Sequence, residues 1–250
     1  MSAWLITGSS RGVGLGIVHY LLKNEGNVVI ATARSIDGQA FKDLELKYPK
    51  TRFQPVQLDI TDPESVANAV SLLTTSPLLA DGLDYLVNNA GIHPQPFATF
   101  ETLDLEAFQE EVLFNTVVPV RLTRAFLPLI KKSREKKVIF ITSVMGSFER
   151  TWPLVNECNS YSVGKAALNM VARKWGASLK YDGISVAAIH PGWVKTEIGD
   201  ALLQWMGENA PQVSQLGVEE SAAGVVKVSE DLILEKTGEF WNYDGTTLPW

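Results

Sequence analysis

One cysteine, Cys158, is all that 250 residues contain, so no intrachain disulfide can form, and the composition suits a reducing compartment. Histidine is nearly as scarce. His19, His93 and His190 show no ligand spacing with one another or with Cys158, which argues against a metal site. No histidine lies near Cys158 in sequence to serve as its base, so a nucleophilic thiol is not expected either. Basic runs are missing. The nearest, residues 131–137, lies between a helix pattern and a strand pattern and reads as a solvated helix end; with a net charge of -6, this argues against nucleic acid as a partner. No stretch has the ~18 continuous apolar residues of a membrane span. The start, Met1-Ser2-Ala3, runs straight into an apolar segment and leaves no room for a charged leader and cleavage site. A soluble, cytoplasmic protein is the expectation.

What is present is an apolar chain, 46% hydrophobic, with enough material for one substantial core. A single domain over residues 1–250 is expected. Short apolar runs at 4–7, 28–33, 53–58, 85–88, 138–142, 184–190 and 239–242 read as strands. Helical periodicity separates them at 14–24, 63–73, 104–132, 161–181 and 221–232, with Asp62-Pro63 a good helix start. The strands are continuously apolar rather than alternating, as strands buried on both faces must be. That predicts an α/β fold, a doubly wound parallel sheet with helices on both faces. Residues 196–217 stand apart, because Gly199, Gly207 and Pro211 interrupt an amphipathic stretch; a mobile lid and an ordinary surface excursion both fit.

The first strand runs into Thr7-Gly8-Ser9-Ser10-Arg11-Gly12-Val13-Gly14, and the first helix follows. Gly8, Gly12 and Gly14 permit a tight turn and a close approach of backbone to a pyrophosphate. The helix amides around Val13 would then stabilise its charge, which makes this a Rossmann-type nucleotide site. An acidic side chain at the end of the second strand would bond adenosine ribose hydroxyls; this chain has Ala33 and then Arg34. Arg34, with Arg11 of the glycine loop, suits a 2'-phosphate, so NADP(H) is expected over NAD(H), and Ser10 of the same loop is expected as a cofactor contact. Arg11 as a solvated loop residue is the alternative. Asp59 and Ile60 follow the third strand; Asp59 has either an adenine contact or a turn before Thr61-Asp62-Pro63 as its role.

Tyr161 and Lys165 sit four apart in a helical run, so phenol and ammonium project from one face. At an effective dielectric near ~20 and roughly 5 Å, the Coulomb term is about 3 kcal/mol, or roughly two pKa units before desolvation. That predicts a phenol brought down towards the range where it exchanges protons.

Taken in order, Thr7-Gly8-x-x-x-Gly12-x-Gly14, Asn88-Asn89-Ala90-Gly91, Asn115, Ser143-x-x-Gly146, Tyr161-x-x-x-Lys165 and Pro191-Gly192 resemble the short-chain dehydrogenase/reductase family over nearly the whole chain. The segments 190–196 and 240–250 look like the branch with C-factor and sniffer-type carbonyl reductases. The resemblance implies that Tyr161 donates a proton to a carbonyl oxygen that Ser143 also bonds. It implies that Lys165 bonds the nicotinamide ribose and that Asn115 holds a water linking the lysine to solvent. Asn89, Ala90 and Gly91 would pass the cofactor by backbone, Pro191 and Gly192 would shape the nicotinamide floor, and Val194 and Thr196 would bond the carboxamide. Local alternatives remain: Ser143 as a strand terminus, Asn115 as a mid-helix polar residue, Thr196 as a helix cap.

These expectations describe an NADPH-dependent carbonyl reductase acting on a small lipophilic aldehyde or ketone, with an alcohol dehydrogenase or a cofactor-binding signalling protein as alternatives. The family implies a homodimer or homotetramer built on the two long helices. Seven tryptophans are many for this length; Trp152, Trp193 and Trp205 fall in segments expected to border the nicotinamide, whereas Trp4 and Trp241 read as core. His93 reads as a loop histidine or a group facing substrate. The interval from Ser143 to Tyr161 is longer than is usual in the family, and this enlarged loop weakens any transfer of substrate from relatives.

Overall fold

The short apolar runs become the strands of one parallel sheet in the computed structural model, which describes residues 1–151 and 156–250. They are β1 (Ser2–Ile6), β2 (Asn27–Ala33), β3 (Phe53–Gln57), β4 (Tyr85–Asn88), β5 (Lys137–Ile141), β6 (Ser185–His190) and β7 (Glu239–Asn242). Their spatial order is β3-β2-β1-β4-β5-β6-β7, each neighbouring pair parallel. Winding therefore reverses between β1 and β4, the place where doubly wound sheets open a crevice beyond their carboxyl ends.

The helices are α1 (Gly12–Leu22), α2 (Gln39–Lys47), α3 (Pro63–Thr74), α4 (Leu105–Val112), α5 (Val118–Lys132), α6 (Asn159–Leu179), α7 (Glu197–Asp200), α8 (Leu203–Asn209) and α9 (Val218–Asp231). Alternation along each strand feeds two cores, one per face. Ala3 and Leu5 of β1 join Leu73 of α3, Phe126 of α5 and Leu168 of α6. Trp4 and Ile6 point the other way, joining Leu21 of α1, Phe41 of α2 and Val225 of α9. Each such fully buried side chain contributes roughly 1.5–3 kcal/mol of transfer free energy. Trp4 stacks on Tyr85 with ring centroids 3.6 Å apart and Trp241 is buried, both in core positions as expected.

Three local features differ from the sequence expectation. The helix expected over 104–132 is interrupted by a π turn, Leu113–Val117, whose wider backbone carries Asn115. Such turns re-aim a side chain without ending the helix. The whole stretch Leu105–Lys132 is long and apolar enough to cross a membrane by length and composition, but Val118, Leu122, Phe126 and Ile130 are buried in the core of this fold. α2 was not expected, because a nine-residue helix anchored by Phe41 and Leu44 alone carries too little periodicity. Residues 196–217 contain the short helices α7 and α8.

Candidate active site

β1 ends in a turn that two glycines make possible. Gly8 has φ +64, and a Cβ there would meet the Ala90 Cα at 2.9 Å; one on Gly14 would meet the Gly8 carbonyl oxygen at 2.5 Å. Backbone from β1, α1 and the end of β4 is thus packed at the closest spacing that chains allow. Asn89 fastens it, donating from Nδ2 to the Thr7 and Gly8 carbonyls at 2.8 and 3.2 Å, while the Asn89 and Ala90 amides donate to Thr7 Oγ1 at 2.9 and 3.1 Å. No side chain caps α1, and no acidic residue lies in its first turn. An uncapped helix N-terminus behind a glycine turn fits a pyrophosphate, so the residues present suit a dinucleotide.

At the expected adenosine end, Arg34 stands free while Arg11 and Asp59 have protein partners among the described residues. Arg34 is exposed beside the end of β2, and no carboxylate lies within ion-pair reach of it among the described residues. Arg11 pairs with Glu197 at 2.9 Å instead of standing free. Both side chains are about three-quarters exposed, and surface pairs of this kind contribute about 0–1 kcal/mol, so a phosphate can take the guanidinium over. Asp59 makes the turn: its Oδ1 accepts from the Thr61 amide at 2.9 Å and from Thr61 Oγ1 at 2.6 Å, and the Thr61 hydroxyl bond holds its carboxyl below the usual value. Ile60 and Val194 are buried, so only their backbone can reach a ligand. Ser10 is exposed on the turn. Thr196 caps α7, its Oγ1 accepting from the Gly199 amide at 3.2 Å. Pro191 accepts from Ser221 Oγ at 2.6 Å, and Gly192 turns against Leu216 and Tyr243, which fixes the loop after β6.

Across the crevice, α6 carries Tyr161 and Lys165 one turn apart, with the Lys165 Nζ 5.4 Å from the centre of the Tyr161 ring. Lys165 is 3% exposed and donates to the Ile141 carbonyl at 3.0 Å. Ser143 lies two residues past the end of β5, its Oγ accepting from the Met145 amide at 3.1 Å. The turn it opens lies on α6, since a Cβ on Gly146 would be 2.6 Å from the Lys165 carbonyl carbon. Asn169 reinforces that contact, accepting from Thr142 Oγ1 at 2.7 Å and donating to the Gly146 carbonyl at 3.1 Å. Asn115 grips the loop after β4: its Oδ1 accepts from the Ile92 amide at 3.1 Å and its Nδ2 donates to the Ile92 carbonyl at 2.9 Å. Asn115 and Lys165 therefore flank Gly91, where an added Cβ would lie 3.3 Å from Asn115 Oδ1 and 3.6 Å from Lys165 Nζ.

The electrostatics overturn one expectation. Burial, then Cys158 and Glu111, push the Tyr161 phenol above its ordinary value rather than below it. Burial acts on Lys165 as well and lowers it to about 8, with Glu111 opposing that shift. Lys165 keeps its proton in the unfolded chain up to about 10.5. Between pH 8 and 10.5 the unfolded state binds the extra proton, so this group's contribution to stability rises with pH there, and the cost of burying its charge is present in full below pH 8. The raised Tyr161 phenol works oppositely only above its ordinary value of 10. Urea unfolding between pH 8 and 10 is expected to show a positive slope that Lys165→Met flattens. Parallel curves for the two proteins would contradict a depressed buried ammonium.

One cluster has no signal in the sequence beyond the helical spacing of one of its members. Glu111 lies four residues before Asn115 on the same helical face, and its side chain is fully buried. Its Oε1 is 3.1 Å from His93 Nδ1, and its Oε2 accepts from Ser160 Oγ. The His93 ring packs on Tyr161, centroids 4.6 Å apart. Cys158 caps nothing by its side chain; its amide donates to the Pro96 carbonyl at 2.8 Å, and burial pushes its thiol up to about 12.

The enlarged loop is anchored at both described ends. Ser147 Oγ donates to the Pro249 carbonyl at 2.9 Å, and Asn159 Nδ2 donates to the Ala98 carbonyl at 2.8 Å. Trp152, expected at the nicotinamide side, lies outside the described residues. Trp193 donates from Nε1 to the Gly199 carbonyl at 2.8 Å, which ties it to α7, and Trp205 sits on α8. Phe97, Phe100 and Phe148 are exposed on the loops after β4 and β5, at the carboxyl end of the sheet.

Comparison with known proteins agrees with this geometry. Residues 2–207 match the short chain dehydrogenase family. An uncharacterized oxidoreductase of Schizosaccharomyces pombe is 32% identical over 253 residues, covering 98% of this chain and 97% of the relative. The NADPH-bound carbonyl reductase from chicken fatty liver superposes with a TM-score of 0.85 at 32% identity, covering 100% of this chain and 99% of that one. The carbonyl reductase Sniffer of Drosophila melanogaster gives 0.86 at 29% identity, with full coverage of both chains.

Proposed function

The chain belongs to the short chain dehydrogenase family of oxidoreductases, and on that premise we propose that it is an NADPH-dependent carbonyl reductase for small lipophilic aldehydes or ketones. What supports this reading is Lys165 Nζ lying 5.4 Å from the Tyr161 ring centre and 3.0 Å from the Ile141 carbonyl at the end of β5, in a fold whose α1 takes no side-chain cap from Arg11. When bound, NADPH supplies the hydride. Tyr161 gives its phenolic proton to the carbonyl oxygen as that hydride arrives, and Ser143 bonds the same oxygen and holds the carbon in place. Lys165 bonds the nicotinamide ribose and stabilises the phenolate left behind. Asn115 holds the loop that carries Gly91 and links the lysine to solvent water.

Asn89, Ala90 and Gly91 would pass the cofactor by backbone, Pro191 and Gly192 would shape the nicotinamide floor, and Val194 and Thr196 would bond the carboxamide. Gly8, Ser10, Gly12, Val13 and Gly14 hold the pyrophosphate, and Asp59 and Ile60 border the adenine. Arg34 and Arg11 take the 2'-phosphate, which favours NADP(H) over NAD(H). The NADPH-bound carbonyl reductase of chicken supports the same cofactor, and the fruit-fly carbonyl reductase supports the same reaction. Exposed Phe97, Phe100 and Phe148 around the entrance suit an apolar substrate. The protein works as a single-domain cytoplasmic enzyme, as a homodimer or homotetramer. Its test is NADPH consumption against aldehydes, aliphatic and aromatic ketones, quinones and diketones, repeated with NADH. Turnover of at least one class with NADPH preferred is expected; NADPH binding without turnover of any class would shift the reading to a signalling protein.

A further inference from the structure

Arg11 is engaged on the side of the crevice away from Arg34. It precedes α1, and its guanidinium meets Glu197, the first residue of α7, at 2.9 Å. Glu197 comes after β6 and Arg34 directly after β2, and three strands, β1, β4 and β5, lie between those two in the sheet. One guanidinium therefore has two anions to choose between, a carboxylate on the β6 side and the 2'-phosphate expected beside Arg34 on the β2 side. Backbone contact brings Glu197 within reach. A Cβ on Gly12, whose φ is +57, would lie 3.3 Å from Thr196 Cγ2, so the residue after Arg11 touches the residue before Glu197. The turn that carries Glu197 is itself held firmly: Thr196 Oγ1 accepts from the Gly199 amide at 3.2 Å, Trp193 Nε1 donates to the Gly199 carbonyl at 2.8 Å, and the Lys195 amide donates to the Leu216 carbonyl at 3.0 Å. Lys195, the nearest cation to Glu197 along the chain, makes no ion pair among the described residues.

We infer that Glu197 is a specificity-determining residue for the cofactor: it holds Arg11 in competition with the 2'-phosphate and so sets how strongly NADPH is preferred over NADH. The inference rests on the NADP(H) reading above, in which Arg11 is one of two contacts to that phosphate. NADPH has to displace the carboxylate before Arg11 can bond the phosphate, whereas NADH leaves the pair as it is. The apparent affinity for the phosphorylated cofactor is then the intrinsic one reduced by the fraction of protein in which Arg11 is free. Both side chains are about three-quarters exposed, and exposed pairs are weak, so the reduction is about two- to fivefold. A contact of that strength tunes selectivity without abolishing binding.

Calorimetry on the full chain with adenosine 2',5'-bisphosphate and with 5'-AMP isolates the effect, because the two probes differ only in the 2'-phosphate. Glu197→Gln is expected to tighten the bisphosphate by about two- to fivefold and to leave 5'-AMP unchanged. Arg11→Gln weakens the bisphosphate alone, and adding Glu197→Gln to it changes nothing further, since no guanidinium remains to be released. Both side chains are exposed, so neither substitution disturbs the core. Unchanged binding of the bisphosphate in Glu197→Gln overturns the proposal. Equal tightening in the parent and Arg11→Gln backgrounds overturns it as well, because the carboxylate would then repel the phosphate directly instead of holding Arg11. A parent protein that binds the bisphosphate no tighter than 5'-AMP would refute the NADP(H) reading and the inference with it; a clear preference that ignores Glu197 refutes the inference alone. Titration with NADPH and NADH should repeat the pattern, with the ratio of their Kd values rising by the same factor in Glu197→Gln.

Discussion

Tyr161→Phe is expected to lower kcat for carbonyl reduction by about 10²–10⁴-fold, while the Kd for NADPH stays within about threefold. The substitution removes one oxygen and keeps the ring that packs on His93, so the fold and the dinucleotide cradle are undisturbed. What is lost is the proton that must arrive with the hydride. Water is a poor replacement in a position where burial is strong enough to raise the phenol. Steady-state kinetics with fluorescence titration of NADPH separates the two quantities. A Tyr161→Phe protein that turns over normally would remove Tyr161 from the mechanism, and one that no longer binds NADPH would make it a cofactor ligand instead.

Arg34→Ala is expected to weaken NADPH by about tenfold to a hundredfold and to leave NADH nearly unchanged, because only the phosphorylated cofactor makes the charge-assisted bonds. Arg34 is exposed at the end of β2, so the effect should shrink as salt rises. Arg11, released easily from its exposed pair with Glu197, is the second contact to the phosphate and keeps the loss within this range. Equal losses for both cofactors would mean that Arg34 supports the local fold and does not read the phosphate.

Most of the architecture could be read from one-dimensional signals. Continuous apolar strands such as Val28 to Ala33 are buried along their whole length, which only a sheet covered on both faces requires. The glycine turn and the Tyr161–Lys165 spacing are local patterns, and local patterns survive in sequence. Where two local roles competed, as for Asp59 and Thr196, the structure shows the cap or turn directly, and a cofactor contact would have to be added to it. Spacing gives the distance to Lys165 but not the depth at which both groups are buried, and it is burial that sets the sign of the Tyr161 shift. The His93–Glu111–Ser160 unit was illegible for a different reason. Its members come from the loop after β4, from α4 and from the start of α6, and no periodicity links three segments that only the tertiary fold brings together. The π turn at Asn115 was hidden in the same way, since widening a helix by one residue leaves its apolar pattern nearly intact.

The central claim is hydride delivery from NADPH to a carbonyl carbon with Tyr161 supplying the proton. It is tested most directly with NADPH deuterated at nicotinamide C4, followed by mass and NMR analysis of the alcohol formed. The account predicts deuterium on the carbinol carbon in the parent protein, and Tyr161→Phe should slow its appearance by about 10²-fold or more without changing its position. An alcohol that forms without deuterium from either C4 face, or labelled alcohol that forms equally fast without the Tyr161 hydroxyl, would contradict it.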